Sequence, residues 1–593
     1  MGIINNMLQV IVKYCIYMFL LIILSELLYS TTFRQTQTNS FFYNDKSNQL
    51  NFYINGINSQ YSSINFDNIP IGSNYLSLLN FKNFFNIDKR FASIDISDTN
   101  RNYQLGKSIS VNTNTFISDT VLLLLNGGST GGNAQYFQSF NYDYYFINIL
   151  LNYNVNNGIL ISNEKELPYN ISNNIINNSK SDDISFFAKV GFKDKNSQFY
   201  VSNFLNSNNN EHPLNVYYEN NDINSDKNRI FNLTNLHYIT NIYDGYLMGN
   251  IYYKYNRNIL ESTSKNNINS LTLEESTLGF LNNYLIKSSE NYSINIGADY
   301  NRTNINRKNK NIYSISNEYA KFIVKQEYKI DSLFSLMINT GYFLNSFNSS
   351  IKNKYNITYS DFNYNLSAKY NISNNLSLKG SIAYNSQSPL VKYLYADVFE
   401  SANLIGMSNM LNTNNYSIEV DYQISKNLKF YSEIFITNGS NFPEIRADYI
   451  SNTTNYQVNG FNLELSMDYD ILSMKFAYSK ITSETTGNYY KINKNLVFPE
   501  DNFMIDFYKD LSFGLSYHLK INLIGERYDY NYEFGILKLL KEFYNISLYL
   551  SQKFRGNSLV FIEIDNLLDN YYETYHGYPQ NGMIFKVGIN LIF

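Results

Sequence analysis

The side chains able to carry chemistry are few in this chain, and they stand far apart. Its four histidines, His212, His237, His518 and His576, fall in unrelated segments without the spacing of a metal site, and read as loop or lumen residues. The one cysteine, Cys15, stands at the start of an apolar N-terminal run rather than at its end, which argues against lipidation. A lone cysteine also excludes a disulfide framework and a cysteine-based metal site. The glycine-rich stretch Leu125–Gly132, LNGGSTGG, lacks the Lys-Ser/Thr ending with which a phosphate loop grips nucleotide, and is expected to be a hairpin end. No serine elbow or paired-carboxylate motif is present. The many Asn-x-Ser/Thr triplets would be glycan acceptors only in a eukaryotic secretory route. The sequence predicts no enzyme, no resident cofactor and no metal centre.

Composition narrows the class. Charged residues make up 16% of the 593, against about 25% in ordinary soluble chains. Aromatics reach 17%, with 57 Tyr and 42 Phe and no Trp, so any aromatic girdle must be built from Tyr and Phe. Disordered chains lack such aromatic content. A net charge of -4 offers no basic footprint for nucleic acid. At the N-terminus, Lys13 precedes an apolar run from Tyr14 to Leu24, then Ser25 and Ser30, which reads as a signal peptide over residues 1–30. Glu26 leaves this run short of the ~20 residues a membrane helix needs, and no later segment approaches that length. Any membrane contact must therefore be made by strands.

The elements that would make it are strongly patterned. In the final stretch Phe585, Val587, Ile589, Leu591 and Phe593 alternate with Lys586, Gly588 and Asn590, the period of a strand with one apolar and one polar face. Tyr292-Ile294-Ile296-Ala298-Tyr300 and Phe461-Leu463-Leu465-Met467-Tyr469 repeat the pattern, which continues from about Asp119 to the last residue. Hydrocarbon outside and water inside demand this alternation of a closed sheet. Three segments, 328–336, 370–378 and 422–430, share a Tyr-x-Ile-turn-Leu frame that predicts short periplasmic turns. The Asn/Ser-rich stretches 205–230, 256–275 and 402–415 are expected to be longer extracellular loops. The fold class read from this is all-β, a transmembrane antiparallel β-barrel.

The chain's end resembles the closing hairpin of TonB-dependent receptors, the gated transport barrels of the bacterial outer membrane. Asn566-Leu567-Leu568-Asp569 is similar to that family's penultimate-strand motif. Gly577-Tyr578-Pro579-Gln580-Asn581-Gly582 looks like its turn, with Met583 where the family has Arg. In the middle, Ser388-Pro389, Leu394-Tyr395, Ser417-Ile418-Glu419, Gly460 and Glu464 fall in place. Nearer the N-terminus Phe52–Ile57 looks like a strand of the family's plug, with Asn55 in place of Asp. Ile94-Asp95-Ile96, Leu105-Gly106 and Ile109–Val111 look like its closing strands and turn, without the family's glycine pair.

The resemblance implies a barrel of 22 strands over residues 119–593, its last strand pairing with its first, and a reduced plug-like domain over 31–118, of which residues from about 50 to 118 lie inside the lumen. It implies uptake of a scarce nutrient of the metal-chelate, haem or cobalamin type. The implied partners are outer-membrane lipid, the barrel-assembly machinery, an extracellular small-molecule ligand and a TonB-type energy-coupling protein. Phe585, Val587, Ile589, Leu591 and Phe593 would then be the barrel-assembly signal. Thr31–Asn51 holds no TonB box, so Thr31–Ser40 is expected to be a periplasmic tail with weak or no coupling. The alternative function is a non-transporting barrel serving as surface adhesin or antigenic scaffold.

Overall fold

The computed structural model describes residues 119–593, apart from stretches of the connections, together with seven short strands between residues 40 and 113. The expected signal peptide, the tail 31–39 and the Leu105-Gly106 turn lie outside the described residues.

A single closed sheet dominates the molecule. Its strands β1–β8 are Thr120–Gly128, Gly131–Tyr142, Tyr145–Asn156, Ser181–Lys193, Ser197–Glu211, Ile223–Ile242, Gly245–Ser264 and Asn267–Ser289. Strands β9–β15 are Tyr292–Lys308, Ile312–Lys329, Phe334–Ser349, Ile357–Ser373, Leu376–Gln387, Leu411–Ser425 and Leu428–Ile445. Strands β16–β22 are Ile450–Asp468, Ser473–Thr486, Asp501–Asp510, Leu515–Ile524, Phe543–Arg555, Ser558–Asp565 and Ile584–Ile592. All neighbours in the wall run antiparallel, and β22 pairs back onto β1, from Lys586 opposite Gly128 to Ile592 opposite Leu122. The 22 strands and the closing pair are those the sequence predicts.

Two features orient the barrel. Each even-numbered strand passes to the next through a turn of two to four residues, at the end that holds Phe593. The predicted turns fall there, at 330–333, 374–375 and 426–427. The opposite end carries the long connections, among them 157–180, 388–410, 525–542 and 566–583, the short-turn and long-loop asymmetry of outer-membrane barrels. Around the short-turn rim Tyr142, Tyr144, Tyr145, Tyr243, Tyr469, Phe513 and Phe593 are exposed, a girdle of Tyr and Phe at the interface.

Alternation along each strand sorts the two faces. In β3, Phe146, Asn148, Leu150 and Asn152 are buried while Tyr145, Ile147, Leu151 and Tyr153 are exposed. The outer face is apolar and the inner face amide-rich, as lipid and water require.

Two of the expected loops are mostly strand. Within them 205–211, 223–230, 256–264 and 267–275 continue the ladder, so that β7 and β8 pair from Gly245 opposite Ile286 to Ser264 opposite Asn267. Strands of 20 and 23 residues exceed the ~10 a membrane crossing needs. The excess stands above the bilayer, where Asn and Ser are at home on both faces and the backbone ladder needs no apolar stripe.

The small strands form two further sheets. Ile64–Phe66 pairs parallel with Ser108–Thr113, which pairs antiparallel with Ala92–Ser97, so Ile94–Ile96 and Ile109–Val111 are strands as predicted. Phe52–Ile57 is not their neighbour. Leu50–Ile54 instead folds onto Ile57–Asn58 and onto Ser40–Asn44 in a separate three-stranded sheet. The sequence offers a local reason: Asn55-Gly56 is a two-residue hairpin signal, and Ile54 pairs with Ile57 on either side of it.

At the seam the strands approach closely. Val121 and Phe593 exchange both backbone hydrogen bonds, at 3.1 and 2.9 Å. A Cβ on Gly588 would collide with the Phe561 ring, whereas one on Gly380 in β13 would meet nothing within 4 Å. Gly588→Leu is therefore expected to reduce the yield of closed barrel several-fold, and Gly380→Leu to leave it unchanged. Heat-modifiable migration on gels of the two variants checks this.

Candidate functional site

The inner wall is a surface of neutral amides punctuated by paired charges. Gln135, Asn148, Asn152, Ser185, Ser202, Asn206, Asn235 and Asn250 face inward and are buried. The charges among them are matched across neighbouring strands: Lys254 with Glu275 at 3.3 Å, Lys379 with Glu419 at 2.7 Å and Lys475 with Glu464 at 2.7 Å. Asp506 also meets His518 on the neighbouring strand. A charge removed from bulk water needs such a partner. Glu419 and Glu464, picked out by family resemblance, are thus halves of wall ion pairs. Gly460 leaves room for the Phe435 ring, which its Cβ would strike.

On this wall, near its short-turn end, rests the segment around Phe66. Asn65, Phe66, Asp67, Ile69 and Ile71 are buried. The Phe66 ring sits against Phe187 of β4, 5.9 Å between centroids at 71°, and Phe204 of β5 at 5.5 Å. Asp67 holds a left-handed backbone, φ 47°, which an Asp adopts more readily than most residues. Its carboxylate accepts from the Thr113 amide at 2.7 Å and hydroxyl at 2.6 Å, tying the two strands of the small sheet together. The Lys189 ammonium donates to the Thr113 hydroxyl at 3.1 Å and lies 4.0 Å from the Asp67 carboxylate. It also stands over the Tyr200 ring at 4.0 Å, a cation–π contact made stronger by desolvation. Tyr200 stacks on His237 at 4.5 Å, and His237 Nδ1 meets Asn250 Oδ1 at 2.9 Å. The contact therefore spreads from the docked segment across β4 to β7.

At the other end three long connections interlock. Asn566 and Asp569 both have positive φ, 51° and 52°. The Asn566 amide donates to the carbonyls of Asn570 at 2.8 Å and Asn581 at 3.1 Å. Asp569 accepts from the Met583 amide at 2.7 Å. The motif thus pins both ends of the 566–583 connection, and Gly582 donates to the Leu160 carbonyl at 2.7 Å in the neighbouring one. In the third, Arg527 is fully buried, donating to the carbonyls of Lys541, at 3.2 Å, and Glu573. It also covers the Phe543 ring at 4.9 Å. Burial pushes its guanidinium down to about 10, which leaves it cationic at neutral pH. Across the mouth the helical turn Val391–Leu394 folds against Leu273, Ile305, Ile315, Phe347 and Tyr359.

The predicted seam residues share one strand and its outer face, with Phe585, Val587 and Phe593 exposed and Ile589 and Leu591 half-buried. The histidines stay apart: His237 and His518 face the lumen, His212 follows β5, and His576 lies in a turn above β22. Sequence reasoning missed Asp67, Thr113, Lys189 and Tyr200. A signal for Lys189 was present, a cation between Ala188 and Val190 within the otherwise apolar run Phe186–Phe192.

No protein-family profile matches the sequence, and no curated protein matches it significantly. Solved structures do. The chain is similar to the FrpB iron transporter from Neisseria meningitidis, with 13% identity and a TM-score of 0.79 over 94% of this chain and 95% of that one. It is similar to the ferric yersiniabactin uptake receptor FyuA from Yersinia pestis, with 11% identity and a TM-score of 0.75 over 95% of each. For the siderophore receptor PiuA from Acinetobacter baumannii the identity is 12% and the TM-score 0.73, over 93% of this chain and 92% of that one. The class is thus a closed 22-stranded antiparallel barrel. Its fold is that of the TonB-dependent receptors, and these neighbours are transporters and receptors rather than enzymes.

Phe66→Ala, which empties an aromatic contact, is expected to weaken docking by about 3–5 kcal/mol. Lys189→Met, which removes a charged hydrogen bond, is expected to cost about 1.5–3 kcal/mol. Limited proteolysis checks both: cleavage between residues 67 and 113 should speed up while the barrel bands persist.

Proposed function

We propose that this chain is a TonB-dependent outer-membrane transporter that takes up a scarce nutrient of the metal-chelate, haem or cobalamin type. Residues 31–118 are its reduced plug, following a signal peptide over residues 1–30. The observation that carries the reading is the docking of Phe66 and Asp67 on the inner wall. A barrel of this girth with nothing held inside would be an open channel, whereas transporters of 22 strands keep a filled lumen. The FrpB likeness supports it, because it spans 94% of the chain, more than the barrel strands account for. FrpB, FyuA and PiuA are named as an iron transporter, a ferric yersiniabactin uptake receptor and a siderophore receptor, which supports a metal chelate as the first cargo to test.

In this reading ligand binds at the long-connection end, over the interlocked cap and the apex of the plug. Energy reaches the plug from the short-turn end, where a TonB-type protein adds a strand to the N-terminal segment through backbone hydrogen bonds, which tolerate sequence drift. Movement of the plug then has to release the Thr113–Lys189 contact. No residue here makes or breaks a covalent bond; the chain binds, occludes and releases.

The test is accumulation of labelled ferric chelates, haem and cobalamin by cells with and without the gene. Uptake of one of them that needs the gene and collapses with a protonophore is expected. Surface retention without uptake would point to the adhesin or scaffold function instead.

The last strand, with Phe585, Val587, Ile589, Leu591 and Phe593, acts in this proposal as the signal read by the barrel-assembly machinery. Removing Phe593 also deletes the two hydrogen bonds to Val121. Deletion of Phe593 is expected to lower the amount in the outer membrane several-fold with synthesis intact, as immunoblots of membrane fractions would show.

A further inference from the structure

The glycine-rich hairpin Leu125–Gly132 does more than turn the chain. Three of its glycines answer to the backbone. Gly131 has φ 134°, a Cβ on Gly128 would run into the Phe585 carbonyl, and one on Gly132 would lie 2.8 Å from the Asn126 carbonyl oxygen. Gly127 answers to nothing of this kind. No atom lies within 4 Å of where its Cβ would be, so neither strand pairing nor packing requires a glycine there.

What its missing side chain leaves open is a hollow. A cavity of about 610 Å³ is bounded by Leu125 and Gly127 of β1, Ala134 of β2, Tyr153 of β3 and Val587 and Ile589 of β22. A second, of about 260 Å³, continues from Ala134 and Tyr153 to Leu151 on β3 and Ile184 on β4. Leu125, Leu151, Tyr153, Ile184 and Val587 are exposed on the outside of the wall, so the hollow opens to the bilayer and not to the lumen. It lies beside the 129–130 turn, in the leaflet at the long-connection end. The lining of the larger cavity holds no charged side chain, and its polar ones are Asn126 and Asn133.

We propose that this hollow is a lipid site that holds an acyl chain of a membrane lipid against the barrel seam. The proposal rests on the outer-membrane reading and is independent of transport. An apolar trough open to hydrocarbon is filled by hydrocarbon, since water there would lose its hydrogen bonds. The bound chain would cover the seven-pair seam between β22 and β1, short beside the 20 pairs of β7 and β8.

The experiment reconstitutes the full barrel in phosphatidylethanolamine–phosphatidylglycerol vesicles containing phosphatidylcholine with a diazirine on its acyl chain. Photolysis and peptide mapping are then applied to wild type, Gly127→Leu, Ala134→Leu and Gly380→Leu. Gly380 serves as control because its Cβ also meets nothing within 4 Å, on a face without the hollow. Label on the peptides carrying Tyr153 and Val587 several-fold above the rest of the outer face is expected. Gly127→Leu and Ala134→Leu, each migrating as a closed barrel, should reduce it to the surrounding level, and Gly380→Leu should not. Even labelling around the wall, label unchanged in both filling variants, or a wild-type dimer cross-linked through this face would overturn the proposal. A lack of label anywhere on the barrel would overturn it together with the membrane reading.

Discussion

The structure depends on one constraint: in hydrocarbon no backbone N–H or C=O can be left without a partner. An open sheet of any length has two edges, so the ladder must return to its start. Here the return is made by β22 on β1, stitched at its end by the reciprocal bonds of Val121 and Phe593. Closure explains several residues that propensity alone would not select. Gly128 and Gly588 lie where two strands and a ring come too near for a Cβ. Asn566 and Asp569 accept left-handed backbone so that the preceding connection reaches the first residue of β22 in register.

Closure also creates an inside, and the inside obeys different chemistry. Amides dominate it because they can satisfy water and protein alike, while Lys254 and Lys379 are each matched by a carboxylate on the adjacent strand. The docked segment uses the same rule. Phe66 contributes apolar area against Phe187 and Phe204, and Asp67, Thr113 and Lys189 satisfy one another in a place water reaches poorly. A contact of this composition positions the segment on the wall through apolar area and matched polar groups together.

The sequence by itself determined the barrel. A period of two is carried by single residues, and each strand's lipid face can be read directly from Tyr292-Ile294-Ile296-Ala298-Tyr300 and its counterparts. Turn signals such as Asp331-Ser332 and Asn374-Asn375 are equally local, so the short-turn rim was legible, as was the final strand. Where the alternation lost its apolar half, in 205–230 and 256–275, the pattern ceased to report. Strands above the bilayer have polar residues on both faces, and only their pairing partners mark them as strands.

Tertiary structure alone decided what meets inside and around the closed sheet. Asp67 and Lys189 are over a hundred residues apart in sequence, and nothing local to either names the other; the wall's curvature and the fold of the small sheet bring them together. Choosing Ile64–Phe66 over Phe52–Ile57 as the inner strand likewise turned on a competition between a near hairpin partner and a distant parallel one. The hollow beside Gly127 belongs to the same class. It is a property of five strands from both ends of the chain, and it exists only once the barrel has closed.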